Sequence, residues 1–204
     1  MPPARDRGQW LYRAELERPG ERLSLRLLLR LDGARSFDLT ASDALGQQRW
    51  RVWGRDDRVL LLDPVHRRFC PLDGSRRLRL DDFAAPLPVV DLPRVLRGEI
   101  PASAGEPAAT AEEDGARRWF DAGGGRWDAV RDADGWKSWT AWSDGRPVLW
   151  FRREGRESAL WAQEPAFRLS WREVAAQGLP AETDADADPA AGFVETECPG
   201  AATS

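Results

Sequence analysis

The stretch ARSFDLTASDALGQQRWRVWGRDDRVLLLD, residues 34–63, decides the fold. Phe37, Leu39 and Ala41 alternate with polar residues up to a tip of Asp43, Ala44, Leu45 and Gly46. The alternation then resumes, with Trp50 and Val52 on one face and Arg49 and Arg51 on the other. A period of two marks a half-buried strand, so the segment reads as a hairpin followed by a third strand that stops at Asp63-Pro64. Turns ordinarily take Gly, Asn, Asp or Ser, and an exposed apolar side chain there adds nothing to a fold. Leu45 therefore either folds back onto an outward ring such as Trp53 or is presented to something outside the chain.

The same period runs outward in both directions. In ERLSLRLLLRLD, residues 21–32, Leu23, Leu25, Leu27, Leu29 and Leu31 fall on one face and Arg22, Ser24, Arg26 and Arg30 on the other, the pattern of a strand with one buried side. A strand over 9–19 precedes it and ends at Pro19-Gly20. Further strands are expected around 58–63, 67–71, 117–121, 126–132, 136–143, 147–154, 157–162 and 165–174, a spacing typical of an antiparallel meander curling toward a barrel. The helical signal is confined to the middle. Asp91 can cap a helix through Leu92, Val95 and Leu96, with Pro93 in its first turn and Gly98 closing it. A second short helix or turn is expected from Leu78 to Phe83. Residues 102–116, small and acidic, read as a mobile loop, and 181–204 as a disordered acidic tail, leaving one domain over 9–180.

A chain of 204 residues suits a single core, and a net charge of −4 with a pI near 5.2 argues against a nucleic-acid partner. Arginine supplies nearly all the positive charge, Lys137 being the only lysine, as a skewed genomic base composition would produce. No segment approaches the roughly 18 consecutive apolar residues of a membrane span, and MPPARDRGQW lacks the apolar core of a leader. Cys70 and Cys198 form either one bridge or two free thiols.

A search for chemistry ends without a catalytic, metal or cofactor site, so a binding protein is expected in place of an enzyme. His66, the sole histidine, sits in a turn-like PVHR and reads as solvated or hydrogen-bonded. The acidic runs at 132–135 and 184–188 lack the spacing of a calcium loop, and Gly123-Gly124-Gly125 has no lysine to make a phosphate loop. Tryptophan is the anomaly, with eleven in the chain and eight after residue 118. These rings either fill the concave side of a curved sheet or line a cavity. Strand parity puts Trp136, Trp142 and Trp150 on one face and Trp139 on the other.

Residues 35–101, closing with PLPVVDLPRVLRGEIP at 86–101, resemble the outer-membrane lipoprotein receptor family, the LolB-like proteins. The shared pattern is a strand, an Asp-Ala-Leu-Gly-like tip, two more strands, a Pro-Leu-Pro element, an apolar helix and Ile-Pro. FRLSWREV at 167–174 is similar to the family's closing strand. The resemblance implies a mainly β fold with minor α: an incomplete antiparallel β-barrel of about eleven strands. One or two helices over 76–98 would cover its open side, over an apolar cavity. It implies a protein that takes the acyl chains of lipoproteins from a periplasmic lipoprotein carrier and places them in the inner leaflet of the outer membrane. Leu45, flanked by Ala44 and Gly46, would be the membrane-insertion loop. The cavity lining would include Leu25, Leu27, Leu29, Phe37, Leu39, Trp50 and Val52 from the N-terminal strands and Leu92, Val95 and Leu96 from the helix. Trp136, Trp142 and Trp150 would complete it. The expected location is the periplasmic face of the outer membrane, with a lipid anchor outside this chain, or the periplasm itself. A soluble lipid carrier or sensor and a non-transporting docking module of the envelope are the alternatives on the same fold.

Overall fold

The alternating segments become strands of one large sheet in the computed structural model, which describes residues 6–33, 36–73, 77–80, 83–105, 116–163, 166–179 and 188–198. The chain begins in the middle of that sheet. β1 (Arg7–Arg18) pairs on one side with β2 (Glu21–Asp32). From there a meander runs outward through β3 (Ser36–Asp43), β4 (Gln48–Arg55), β5 (Arg58–Asp63) and β6 (Arg68–Leu72). The chain then crosses to the far edge and returns inward through β9 (Ala116–Phe120), β10 (Arg126–Asp132), β11 (Gly135–Ser143), β12 (Arg146–Glu154), β13 (Glu157–Gln163) and β14 (Ala166–Gln177). β14 pairs with the free side of β1, in register from Gln9↔Gln177 to Glu17↔Arg168 with one bulge. Among the described residues the sheet stays open, β9 at one end being unpaired with the opposite end.

The crossing segment holds a separate hairpin, β7 (Arg77–Leu80) with β8 (Phe83–Pro88), then a 3-10 turn at Val89–Asp91, the helix α1 (Leu92–Leu96) and a second 3-10 turn at Ala102–Ala104. Where a short helix or turn is expected from Leu78 to Phe83, the described residues on either side, 77–80 and 83–88, are paired strands, and residues 81–82 lie outside the described residues. Ala102–Ala104, expected within a mobile loop, are instead ordered with Ala104 fully buried, and residues 106–115 lie outside the described residues. The strand count rises from the expected eleven to thirteen in the main sheet and two in the hairpin.

One of the additions is β15 (Val194–Glu195), which pairs in parallel with β6. The tail expected to be disordered beyond 181 is therefore docked over 188–198. Cys198 is bridged to Cys70 of β6, with Cα atoms 5.2 Å apart. Ala190 and Phe193 cover Leu60 and Leu62 on the outward side of β5, together with Trp53 and Phe69. This explains the unbroken apolar run Val59-Leu60-Leu61-Leu62. Val59 and Leu61 face the main core while Leu60 and Leu62 face the tail, so the strand is buried on both sides.

Elsewhere alternation decides the buried side. Trp10, Tyr12, Ala14 and Leu16 of β1 and Leu25, Leu27, Leu29 and Leu31 of β2 point to the concave face, and the intervening charged residues point away. On β3 and β4, Phe37 lies over Gly54. A Cβ added at Gly54 would meet the ring at 2.2 Å, so this strand position requires glycine for a close approach.

Candidate acyl-binding face

The concave face is lined differently in its two halves. The N-terminal half presents Leu25, Leu27, Leu29, Leu39, Ala41, Trp50 and Val52, all buried, with Phe37 at its margin. The C-terminal half carries a chain of rings. Trp171 meets Phe151 at 6.0 Å between centroids and Phe151 meets Trp139 at 5.4 Å. Trp139 then meets Trp127 at 5.6 Å, and Trp127 stacks with Trp119 at 6.3 Å. Each contact joins different strands, so the rings form a continuous ladder from β14 to β9.

Over this face lies the crossing segment, which must span the mouth because it connects the two edges of the sheet. It contributes Leu87, Val89, Leu92, Val95, Leu96 and Ile100, all buried in the same core. The helix is barely more than one turn long, with Pro93 at its start and Gly98, at φ +75°, just beyond its end. Asp91 does not cap it. The Asp91 carboxylate, 1 % exposed, instead accepts from the Ala102 amide at 2.7 Å, the Ser103 amide at 3.3 Å and the Ser103 hydroxyl at 2.5 Å. Arg94 donates from Nε to the Ile100 carbonyl at 3.0 Å. The segment is thereby tied to itself as a unit.

Two side-chain hydrogen bonds tie it to the sheet among the described residues, both donated by tryptophans of the ring ladder. Trp171 Nε1 donates to the Leu96 carbonyl at 2.9 Å and Trp119 Nε1 to the Ala104 carbonyl at 2.7 Å. Arg97 adds a cation–π contact, 5.7 Å from the Trp10 centroid. The leucine half holds the segment by apolar contact. Two buried donors of the concave face, the Tyr12 hydroxyl and Trp139 Nε1, have no hydrogen-bond partner among the described residues. Burial first and the charge of Glu173 second push the Tyr12 pKa well above its ordinary 10, against the smaller opposing effect of Arg97, so its hydroxyl keeps its proton.

Of the residues expected to line a cavity, Leu25, Leu27, Leu29, Phe37, Leu39, Trp50, Val52, Leu92, Val95, Leu96 and Trp136 converge in this core. Trp142 and Trp150 do not. They stand on the convex face, where Trp142 is covered by Arg126 at 3.6 Å and Trp150 stacks on Trp161 at 6.2 Å. Parity was misleading because β11 carries a bulge at Lys137: Val130 pairs with Ser138 but Arg131 pairs with Trp136. The extra residue returns Trp136 to the concave side, beside Trp119 at 6.5 Å and on the same face as Trp139. Sequence reading missed Trp119 and Trp171 as hydrogen-bonding anchors and Asp91 as an internal tie. Their one visible signal was an alternating apolar position for each ring, which gives burial and no partner.

At the tip, Leu45 is 94 % exposed. Its amide and that of Gln47 donate to Asp43 Oδ1, both at 3.0 Å, and Gly46, at φ +85°, donates to the Asp43 carbonyl. The turn is built from within and needs nothing from Leu45. Trp53, the ring on which Leu45 could have folded, belongs to the cluster under the C-terminal segment.

Compared by sequence, the chain matches no family model and no curated protein. Compared by structure, it is similar to a LolA superfamily protein from Nitrosomonas europaea, with a TM-score of 0.56 at 10% identity over 86% of this chain and 88% of that one. The fold is the LolA-like open barrel. An outer-membrane lipoprotein-sorting protein domain from Vibrio parahaemolyticus gives a TM-score of 0.56 at 6% identity, covering 88% of each chain. A DUF1329 family protein from Desulfovibrio piger gives 0.54 at 11% identity, covering 92% of this chain and 91% of that one. At these identities the likeness is one of fold.

Proposed function

We propose that this protein is a lipid-binding carrier of the lipoprotein-sorting kind. It takes acyl chains onto its concave face when the segment over 87–104 moves aside, and releases them at the inner leaflet of the outer membrane. The observation that carries this reading is the covering segment itself: an apolar cover, tied internally and held to the sheet by two indole hydrogen bonds. Magnitudes support exchange. Burying Leu87, Val89, Leu92, Val95, Leu96 and Ile100 is worth about 1.5–3 kcal/mol each, or roughly 9–18 kcal/mol together. A sixteen-carbon acyl chain carries about 12 kcal/mol at about 0.8 kcal/mol per methylene. The two occupants are comparable, so a chain can replace the cover without a large uphill step. The unpartnered Tyr12 hydroxyl and Trp139 indole would then face the ester carbonyls that accompany acyl chains.

Leu45 serves delivery. Inserting one leucine contributes only about 1.5–3 kcal/mol, enough to direct release and too little to anchor a protein. Residence at the membrane then needs a further contribution, and cargo comes from a periplasmic lipoprotein carrier. The task is binding and transfer, with no bond made or broken.

The filled concave face supports a second reading, a docking module whose cover never moves. A fluorescent fatty acid displaced by a diacylated lipopeptide separates the two. The carrier reading expects saturable uptake with increased hydrogen exchange over 87–104. No uptake, with the segment protected as strongly as the sheet, would establish docking in its place.

A further inference from the structure

The convex face carries a second feature that acyl binding does not use. Arg26, Arg13 and Arg172 stand directly opposite one another on β2, β1 and β14, all exposed on the same side. Like charges paired across adjacent strands are unfavourable for a sheet, and this row contains two such pairs in succession. Among the described residues none of the three has a carboxylate partner. Glu157 is opposite Arg172 in register without an ion pair to it, and neighbouring Glu15 is held by Arg22 at 2.5 Å. The row lines a cleft of about 480 Å³ together with Ser24, Ser170, Ala44 and the two carboxylates Glu15 and Glu157. Ala44 immediately precedes Leu45, the most exposed large apolar side chain described.

We propose that this arginine row is a binding site for the phosphate headgroups of anionic phospholipids, engaged when Leu45 enters the bilayer. An exposed leucine beside unpaired cations is the combination an interfacial membrane contact requires, because apolar insertion and headgroup attraction act together. The guanidinium is suited to phosphate, since its planar fork donates two parallel hydrogen bonds. An acidic protein would satisfy the arginines but would leave Leu45 without a role. The inference rests on the delivery role given to Leu45 and adds the lipid class that the site selects.

Sedimentation with phosphatidylcholine vesicles, with and without phosphatidylglycerol, tests it on the full chain. Wild type should prefer the phosphatidylglycerol vesicles, and the preference should shrink as salt is raised. At about fivefold per arginine near an anionic surface, Arg13→Gln with Arg26→Gln should lose more than tenfold on those vesicles and nothing on neutral ones. Leu45→Ser should weaken binding to both. Removing like charges from the row should leave the melting temperature unchanged or higher, so loss of fold does not confound the result. Lack of an anionic preference in wild type, or unchanged binding by the double variant, would each overturn the proposal. Lipopeptide uptake in solution, read on the same samples, should be unaffected by the arginine changes. If wild type takes up no lipopeptide, the carrier reading fails while the vesicle result stands or falls on its own.

Discussion

From β1 outward to β4 the concave face is made of Leu25, Leu27, Leu29, Leu39 and Val52, whereas from β14 outward to β9 it is made of Trp171, Phe151, Trp139, Trp127 and Trp119. Both halves exclude water. They differ in direction. Aliphatic contacts are summed from many weak pairs and have no preferred geometry, so they tolerate exchange of one apolar partner for another. The tryptophans stack in a fixed order and add indole donors aimed at two carbonyls of the cover. On the proposed carrier reading the ring ladder is the fixed side on which the cover hangs, and the leucine wall is the side it would leave.

The largest effect should come from the staple at the leucine edge. Cys70 and Cys198 are separated by 128 residues, and in the loop-entropy account a bridge closing so long a span contributes up to about 4–5 kcal/mol. Melting with and without reductant, or of Cys198→Ser, should show a loss of that order, with exchange rising first in β5 and β6. If it rises first in β9 and β10, the halves have been assigned the wrong stiffness.

Leu29→Ala should cost about 2–5 kcal/mol, and Trp171→Phe, which leaves the Leu96 carbonyl without its donor, about 1–3 kcal/mol. Their patterns should differ more than their sizes. Leu29→Ala lowers protection throughout the sheet, while Trp171→Phe loosens 87–104 beyond the global change and speeds lipopeptide uptake. Identical exchange maps would erase the distinction between wall and ladder.

A smaller effect tests the outer end of the ladder. Burial raises the Asp121 pKa, but this is outweighed by hydrogen bonds from the Trp127 indole at 2.9 Å and the Gly125 and Gly123 amides, which hold the carboxyl below its ordinary 3.8. The stability it contributes is complete above the ordinary value and is lost as pH falls through the depressed one. Acid unfolding followed by tryptophan fluorescence should therefore be less steep for Asp121→Asn. The smallest stability effect belongs to Leu45→Glu. At an exposed tip it should change stability by less than about 0.5 kcal/mol, yet transfer of lipopeptide into liposomes should fail. Normal transfer would remove the tip from the delivery step.

The strands were legible because a buried face imposes a period of two, and α1 because Pro93 and Gly98 bracket it. The short helix or turn expected at 78–83 falls within a hairpin. Its second strand, FAAPLP, lacks alternation and contains two prolines, so no local signal favoured strand. The face of Trp136 was hidden by a single extra residue at Lys137, because a bulge leaves no mark in a pattern read at fixed period. The docked tail was obscured by its acidic composition. Besides the backbone pairing with β6, it is held by the side chains of Ala190, Phe193 and Cys198, too few to register as a packed segment. The arginines of the convex row were visible as the polar side of their strands, but their juxtaposition depends on the β1–β14 pairing, which no local pattern encodes.

That pairing also sets an order of events. β1 lies mid-sheet, yet one of its two edges is matched only by residues 166–177. A growing chain can complete the β1–β6 meander from local contacts, but until its last long strand arrives β1 offers a row of unpaired amides and carbonyls. During that interval the β14 of another copy is as good a partner as its own, and exchange of this one strand would give an intertwined dimer. A chain cut before residue 166 keeps most of its core residues and loses the seam, so it should aggregate through β1.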